Sequence, residues 1–260
     1  MRPLIKSLLA ATLMLALVGS IALATPAVDG AVFNLRVFND CPSSMLTTVN
    51  NYASLLSIHD AQLDCAGWAN LHNWHLSAGG GEAVFLNGDA FILNFDMRIT
   101  GTADGEAGVM VAPWWSQNVD GRFNVRSTDG EIACFGGRLP FYSFTASHGL
   151  AYAKGDLISL TVAYTPNDLT DTNPATIEYI VDYNGGNYSS GPLPFDEGNG
   201  AEGHGTWGML DDARVGGYMQ AFLQNGNPDA ELMAEWTSIE FVDTSVATED
   251  TNWSRVKSLY

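Results

Sequence analysis

The sequence predicts an all-β protein, an antiparallel β-sandwich, and three stretches of alternating residues carry that prediction. In Phe91 to Thr100, FILNFDMRIT, the residues Phe91, Leu93, Phe95, Met97 and Ile99 point one way while Asn94, Asp96 and Arg98 point the other. Arg122 to Arg126 repeats the pattern, with Phe123 and Val125 opposing Arg122, Asn124 and Arg126. So does Thr176 to Tyr183, where Ile177, Tyr179, Val181 and Tyr183 oppose Glu178, Ile180 and Asp182. A strand with one greasy and one polar face belongs to a sheet that is buried on one side only.

Turn dipeptides mark the strand ends: Asn87-Gly88, Asp104-Gly105, Asp120-Gly121, Asp129-Gly130, Gly136-Gly137, Asn184-Gly185 and Asn225-Gly226. Between them lie strand candidates at Ala31 to Phe38, Trp74 to Ser77, Phe91 to Thr100, Gly108 to Ala112 and Arg122 to Arg126. Further candidates follow at Glu131 to Phe135, Leu157 to Tyr164, Thr176 to Tyr183, Gly217 to Leu223 and Trp236 to Val242. Short strands so spaced fit a sandwich or jelly roll rather than an α/β fold. Thr47 to Leu56 carries TTVNNY, which suits a strand better than a helix.

The first 24 residues read as an export signal: Arg2 and Lys6 precede an apolar run from Leu8 to Leu23, and Ala22-Leu23-Ala24 supplies a small-x-small cleavage site. The expected product is a secreted protein, extracellular, surface-bound or periplasmic, with no membrane span after cleavage. Its organisation is a sandwich over 25-242 and a polar linker with a short tail over 243-260. The chain has 11 lysines and arginines against 29 acidic residues; without Arg2 and Lys6 the formal charge is 9 − 29 = −20. That surface repels nucleic acid and anionic membranes. Among the three pairings open to three cysteines, Cys41 with Cys65 is expected, because they flank one amino-terminal segment and export favours a disulfide. Cys134, in EIACFGG, is then a buried thiol.

The strand order from about Ala83 to Val242 resembles the concanavalin A-like lectin and glucanase superfamily, including its laminin G-like members. The resemblance rests on FILNFDMRIT, GVMVAP, the GRFNVRSTDG hairpin, GDLISLTVAYTPN, the TIEYIVDYNGG hairpin and the closing AEWTSIEFVD. It implies a jelly roll of two curved sheets with ligands on the concave face or rim loops. Thr25 to Glu82 has no match there and is expected to add edge strands or an amino-terminal elaboration.

The glucanase branch of that superfamily places paired acids on one strand, E-x-D-x-x-E, because acid and nucleophile must share a face. This chain lacks that motif. His72 and His75, three apart, face opposite sides of a strand and so make no metal pair. The expectation is therefore a non-catalytic module that binds an extracellular glycan. A secreted glycoside hydrolase or lyase of the same fold is the first rival, and a structural or adhesive surface protein the second.

The polar sheet face of Asn94, Asp96, Arg98, Asn124, Arg126, Glu178 and Asp182 is the expected ligand surface, with Trp114, Trp115 and Tyr142 as plates for stacking sugar rings. Asp104, Asp120 and Asp129, at tight turns on loops that would share a rim, are the candidates for holding calcium, although Asp also precedes Gly simply to make the turn. In the tail, TNWSRVKSLY would put Trp253, Val256 and Tyr260 on one helical stripe, with Arg255 and Lys257 facing away.

Overall fold

The structure, a computed structural model, describes residues 25–111, 121–196, 207–210 and 212–245. The expected signal segment, Trp114, Trp115, Asp120 and the tail beyond residue 245 lie outside the described residues. In chain order the strands are β1 (Gly30–Asn39), β2 (Met45–Asn51), β3 (Leu55–Ala61), β4 (Ala69–Ala78), β5 (Gly81–Glu82), β6 (Phe91–Thr100), β7 (Gly105–Val111) and β8 (Gly121–Arg126). They continue with β9 (Ile132–Phe135), β10 (Tyr142–Ser143), β11 (Ile158–Thr165), β12 (Thr176–Tyr183), β13 (Gly186–Pro194), β14 (Val215–Phe222) and β15 (Glu231–Asp243); one short helix, α1 (Phe144–His148), follows β10. Sheet A runs β1-β4-β14-β7-β8-β9-β10 with β5 beside β4, and sheet B runs β13-β12-β11-β6-β15-β3-β2. Every pairing is antiparallel. This is the expected sandwich.

Two expectations need correction. The first concerns Thr25 to Glu82, which supplies more than edges: β3 lies between β15 and β2, and β4 between β1 and β14. Its strands read poorly because β4 is buried along both faces, so ANLHNWHLSA shows no clean alternation.

The second concerns the polar face. Asn94, Asp96 and Arg98 on β6 and Glu178 and Asp182 on β12 do share the outer face of sheet B, but Asn124 and Arg126 sit on β8 in sheet A. The inward half of the register argument holds, since Phe95 and Phe123 are both buried. Period two says which residues turn inward; it does not say which sheet a strand joins.

Between the sheets, Trp74 of β4 meets Trp236 of β15 edge to face at 5.9 Å, and Trp236 Nε1 donates to Gly108 O on β7 at 3.2 Å. Phe123 stacks on Phe144 at 5.7 Å and meets Tyr179 edge-on at 5.0 Å, tying β8, α1 and β12 together. Ser143 caps α1 by accepting from Ala146 N at 3.0 Å, and Gly149 ends it at φ 69°, a left-handed position that suits glycine.

Cys41 and Cys65 form the expected disulfide, and Cys134 is free and buried, its thiol pushed well above its ordinary pKa by desolvation. Beside the disulfide lies a buried polar network. Arg36 N donates to His72 Nδ1 at 3.0 Å, so the imidazole proton is on Nε2, which faces Asp60 Oδ2 at 2.9 Å. Asn70 Nδ2 donates to the same Asp60 oxygen at 2.7 Å, and Asn70 Oδ1 accepts from Cys41 N at 2.9 Å. Burial alone would raise the Asp60 carboxyl, but the hydrogen bonds from His72, Ser44 and Asn70 outweigh it and hold its pKa below the ordinary value.

Removing the Asp60 carboxylate strands buried donors of His72 and Asn70, so Asp60→Ala is expected to cost about 3 kcal/mol in denaturant unfolding. Because the folded-state pKa is depressed, Asp60 contributes stability that is present above the unfolded value of 3.8 and is lost as pH falls through the folded one. Unfolding midpoints measured from pH 6 downward should therefore fall more steeply below that value for the natural chain than for the variant. Parallel curves would contradict the assignment.

Candidate functional site

The inward faces of both sheets are apolar apart from the sealed Asp60–His72–Asn70 network, whose groups bond one another, so a ligand is met on an outer face. On sheet B that face carries Asp96, Glu178, Asp182, Glu231, Glu235 and Glu240 against one arginine, Arg98. Asp96 accepts from Ser159, Glu178 from Ser189 and Asp182 from Asn187, so these groups are held in local hydrogen bonds along the ladders. A shallow hollow of about 490 Å³ lies there, lined by Ser54, Leu55, Arg98, Leu157, Glu235 and Thr237.

The outer face of sheet A differs in kind. Trp74 turns inward, so its neighbours Asn73 and His75 turn outward. On β14 Val215, Met219 and Ala221 enter the core, which sends Tyr218 and Gln220 outward. On β8 Phe123 and Val125 do the same for Arg122 and Asn124. Tyr218 lies directly opposite Asn73 on one side and Gly108 on the other, and Gly108 is opposite Asn124. These strands bring an imidazole, a phenol, a guanidinium and three amides to one surface.

Glycine makes the close approach. A Cβ on Gly216 would lie 1.9 Å from Trp74 O and 2.7 Å from the Cα of His75; one on Gly108 would lie 1.8 Å from Phe123 O. With no side chain at either position, His75 and Tyr218 each face a gap in the neighbouring strand.

His75 Nδ1 is 2.8 Å from Glu82 Oε1, and because a carboxylate only accepts, the ring proton sits on Nδ1. Glu82 Oε2 in turn accepts from Arg214 Nε at 3.0 Å. His75 Nε2 is buried and has no hydrogen-bond partner among the described residues. Desolvation, the largest influence, lowers the His75 pKa; Glu82 opposes it and Arg214 adds to it, and the imidazole ends below its ordinary value of 6.5. The result is a neutral ring with a bare lone pair.

Tyr218 is fully buried, its oxygen accepting from Asn124 Nδ2 at 2.7 Å, and the Arg122 guanidinium lies 4.4 Å over its ring. Burial first, and then the Glu106 carboxylate, push the phenol pKa well up, while Arg122 and Asn124 pull it partly back. Arg122 Nη1 also donates to Glu106 Oε1 at 3.2 Å. The phenol therefore holds its proton, and groups able to stabilise its anion are already in place.

Of the described sequence-derived site residues, Asn124, Arg126 and Tyr142 lie on strands of sheet A. Arg126 is engaged with Asp129 and Glu131 at 2.5 to 2.7 Å. Tyr142 is on β10 at the sheet edge, its hydroxyl 3.0 Å from His148 Nε2, so it braces α1. Of the calcium candidates, Asp129 is paired with Arg126 and Asp104 with Lys154 Nζ at 2.8 Å, while Asp120 lies outside the described residues. Among the described residues no group of three or more His, Cys, Asp and Glu is placed to hold a metal ion. Sequence reading passed over Asn73, Tyr218 and Gln220 and weighed His75 only as a metal ligand. The available signal was the two-residue spacing in Asn73-Trp74-His75 and Tyr218-Met219-Gln220, polar groups alternating with core residues as in Arg122-Phe123-Asn124.

In sequence, no family model and no curated protein matches the chain. In structure it is similar to an alginate lyase from Klebsiella pneumoniae, with a TM-score of 0.50 and 11% identity over 83% of this chain and 96% of that one. An alginate lyase of polysaccharide lyase family 7 superposes with a TM-score of 0.45 at 11% identity, over 83% and 94% of the two chains. A functionally unknown protein from Saccharomyces cerevisiae gives 0.44 at 11% identity, over 82% and 96%. The likeness to the Klebsiella pneumoniae structure fits the fold already described, an antiparallel jelly-roll β-sandwich. At these identities the likeness defines the fold.

Nitrogen-15 NMR of the histidines tests the His75 assignment. The expected spectrum has His75 neutral with its proton on Nδ1 and titrating below 6.5. A proton on Nε2 at neutral pH would contradict it.

Proposed function

We propose that the chain is an exported polysaccharide lyase that cleaves a uronate-containing glycan by β-elimination on the outer face of sheet A. The observation that carries this reading is His75: an oriented, neutral imidazole whose Nε2 is unpartnered among the described residues, diagonal on one sheet face to a protonated Tyr218. His75 Nε2 would take the C5 proton next to the uronate carboxylate. The electron pair left behind forms the C4–C5 double bond and expels the glycosidic oxygen from C4, and that oxygen takes the Tyr218 hydroxyl proton. The tyrosinate is stabilised by Asn124 and Arg122, and it recovers its proton from the His75 imidazolium through solvent. Arg122 and the amides of Asn73 and Gln220 would neutralise the substrate carboxylate.

The alginate lyases of similar fold support this substrate class. Charge supports the location, because a polyanion is repelled by the six carboxylates of sheet B, whereas on sheet A the carboxylates are offset by Arg122, Arg126 and Arg214. Hydrolysis fits less well, since it needs two freely placed carboxyls, and the two here, Glu82 and Glu106, are tied to His75, Arg214 and Arg122. Export is supported by the apolar amino terminus and the Cys41–Cys65 disulfide. Among the described residues no helix is long and apolar enough to cross a membrane.

One observation favours a second reading, glycan binding without turnover. His75, Asn73 and Tyr218 are each 0% exposed, so a glycan must open a path to Nε2.

The purified mature protein, incubated with alginate and other polyuronates, is expected to release oligosaccharides with unsaturated non-reducing ends, detected by their ultraviolet absorbance. His75→Ala and Tyr218→Phe should each lower kcat by ~10²–10⁴ with the fold intact by circular dichroism. A depressed His75 pKa keeps the base neutral as pH falls, so the acidic limb of the kcat profile should lie below 6.5. Sugar affinity without unsaturated product would favour the binding module instead.

A further inference from the structure

At one end of the same face lies a second group of aromatic side chains. Among the described tryptophans Trp74 and Trp236 are fully buried, while Trp68, just before β4, is 47% exposed. Its ring stacks near Phe222 at 6.4 Å with an interplanar angle of 21°, and lies 6.0 Å from Phe38. The backbone beneath it is fixed at both polar groups: Trp68 N donates to Asp40 Oδ2 at 2.8 Å, and Trp68 O accepts from Leu223 N at 3.0 Å. The Cys41–Cys65 disulfide closes the loop between Asp40 and Trp68. An exposed indole so anchored keeps one orientation at little entropic cost on binding.

The platform is continuous with the proposed site. Phe222 alternates with Gln220 and Tyr218 on β14, so all three face outward, and Phe38 lies opposite Leu71 on the neighbouring strand pair. At a strand rise of ~3.3 Å per residue, Phe222 is about 13 Å from Tyr218, within the length of a short oligosaccharide.

We infer that Trp68, backed by Phe222 and Phe38, is a distal sugar subsite that stacks on the C–H face of a pyranose ring of the same glycan. This inference rests on the lyase reading for the identity of its ligand. The indole is an apolar, electron-rich plate, and a pyranose presents a row of weakly positive C–H bonds to it. The chemistry is indifferent to the uronate carboxylate, so the subsite selects for chain length rather than charge.

Binding of a uronate trisaccharide and hexasaccharide is measured by calorimetry in a His75→Ala background, where cleavage cannot intervene. Trp68→Ala is expected to weaken hexasaccharide binding about tenfold and leave the trisaccharide unchanged, while Trp68→Tyr retains most of the hexasaccharide affinity. Equal hexasaccharide affinity in the Trp68→Ala and parent proteins would overturn the subsite while leaving the lyase reading standing. If neither oligosaccharide binds the parent and the natural chain makes no unsaturated product, the lyase reading itself falls and takes the subsite with it.

Discussion

The structure depends on the packing of Trp74 against Trp236 between the sheets. Two indoles edge to face at 5.9 Å fill the gap between β4 and β15, and the Trp236 N–H reaches across to Gly108 O. With Trp74 turned inward, strand geometry leaves Asn73 and His75 no choice but to face outward. The same hydrogen bond fixes β7 at Gly108, the residue opposite both Tyr218 and Asn124. Core packing and the arrangement of polar groups on the outer face are one constraint seen from two sides.

How much of this was legible in the sequence follows from what alternation encodes. FILNFDMRIT was read with the bounds and facing that β6 adopts, because one of its faces is exposed enough to be polar. β4 was reduced to its last few residues, because a strand buried on both faces has no amphipathic signature. β13, GNYSSGPLP, was missed as an independent strand: its glycines and prolines look like a loop, yet it is an edge strand, where proline is tolerated. Asn124 and Asp96 look alike in sequence and end on different sheets, since sheet membership is set by long-range pairing that no local pattern records. His75 was visible as a residue and discounted for want of a metal partner. Its partner is Glu82, and no spacing rule announces a carboxylate seven residues away on a two-residue strand.

An acidic protein and a polyanionic ligand are electrostatically opposed, and the fold resolves the conflict by partition. Sheet B carries the carboxylates outward, while the arginines Arg122 and Arg214 sit beside the polar groups of sheet A. Each arginine there is paired, with Glu106 and Glu82 respectively, so the face is close to neutral rather than strongly positive. That balance keeps the buried charges solvated by one another. Burial, rather than this balance, is the main reason that His75 stays neutral, the state a base requires.

The central claim is that the working face is that of sheet A rather than sheet B. Chemical-shift mapping of the isotope-labelled protein with a uronate trisaccharide tests it most directly. The account predicts shifts at His75, Tyr218, Gln220 and Arg122 with Asp96, Arg98 and Glu178 undisturbed. Shifts confined to Asp96, Arg98 and Glu178 would contradict it.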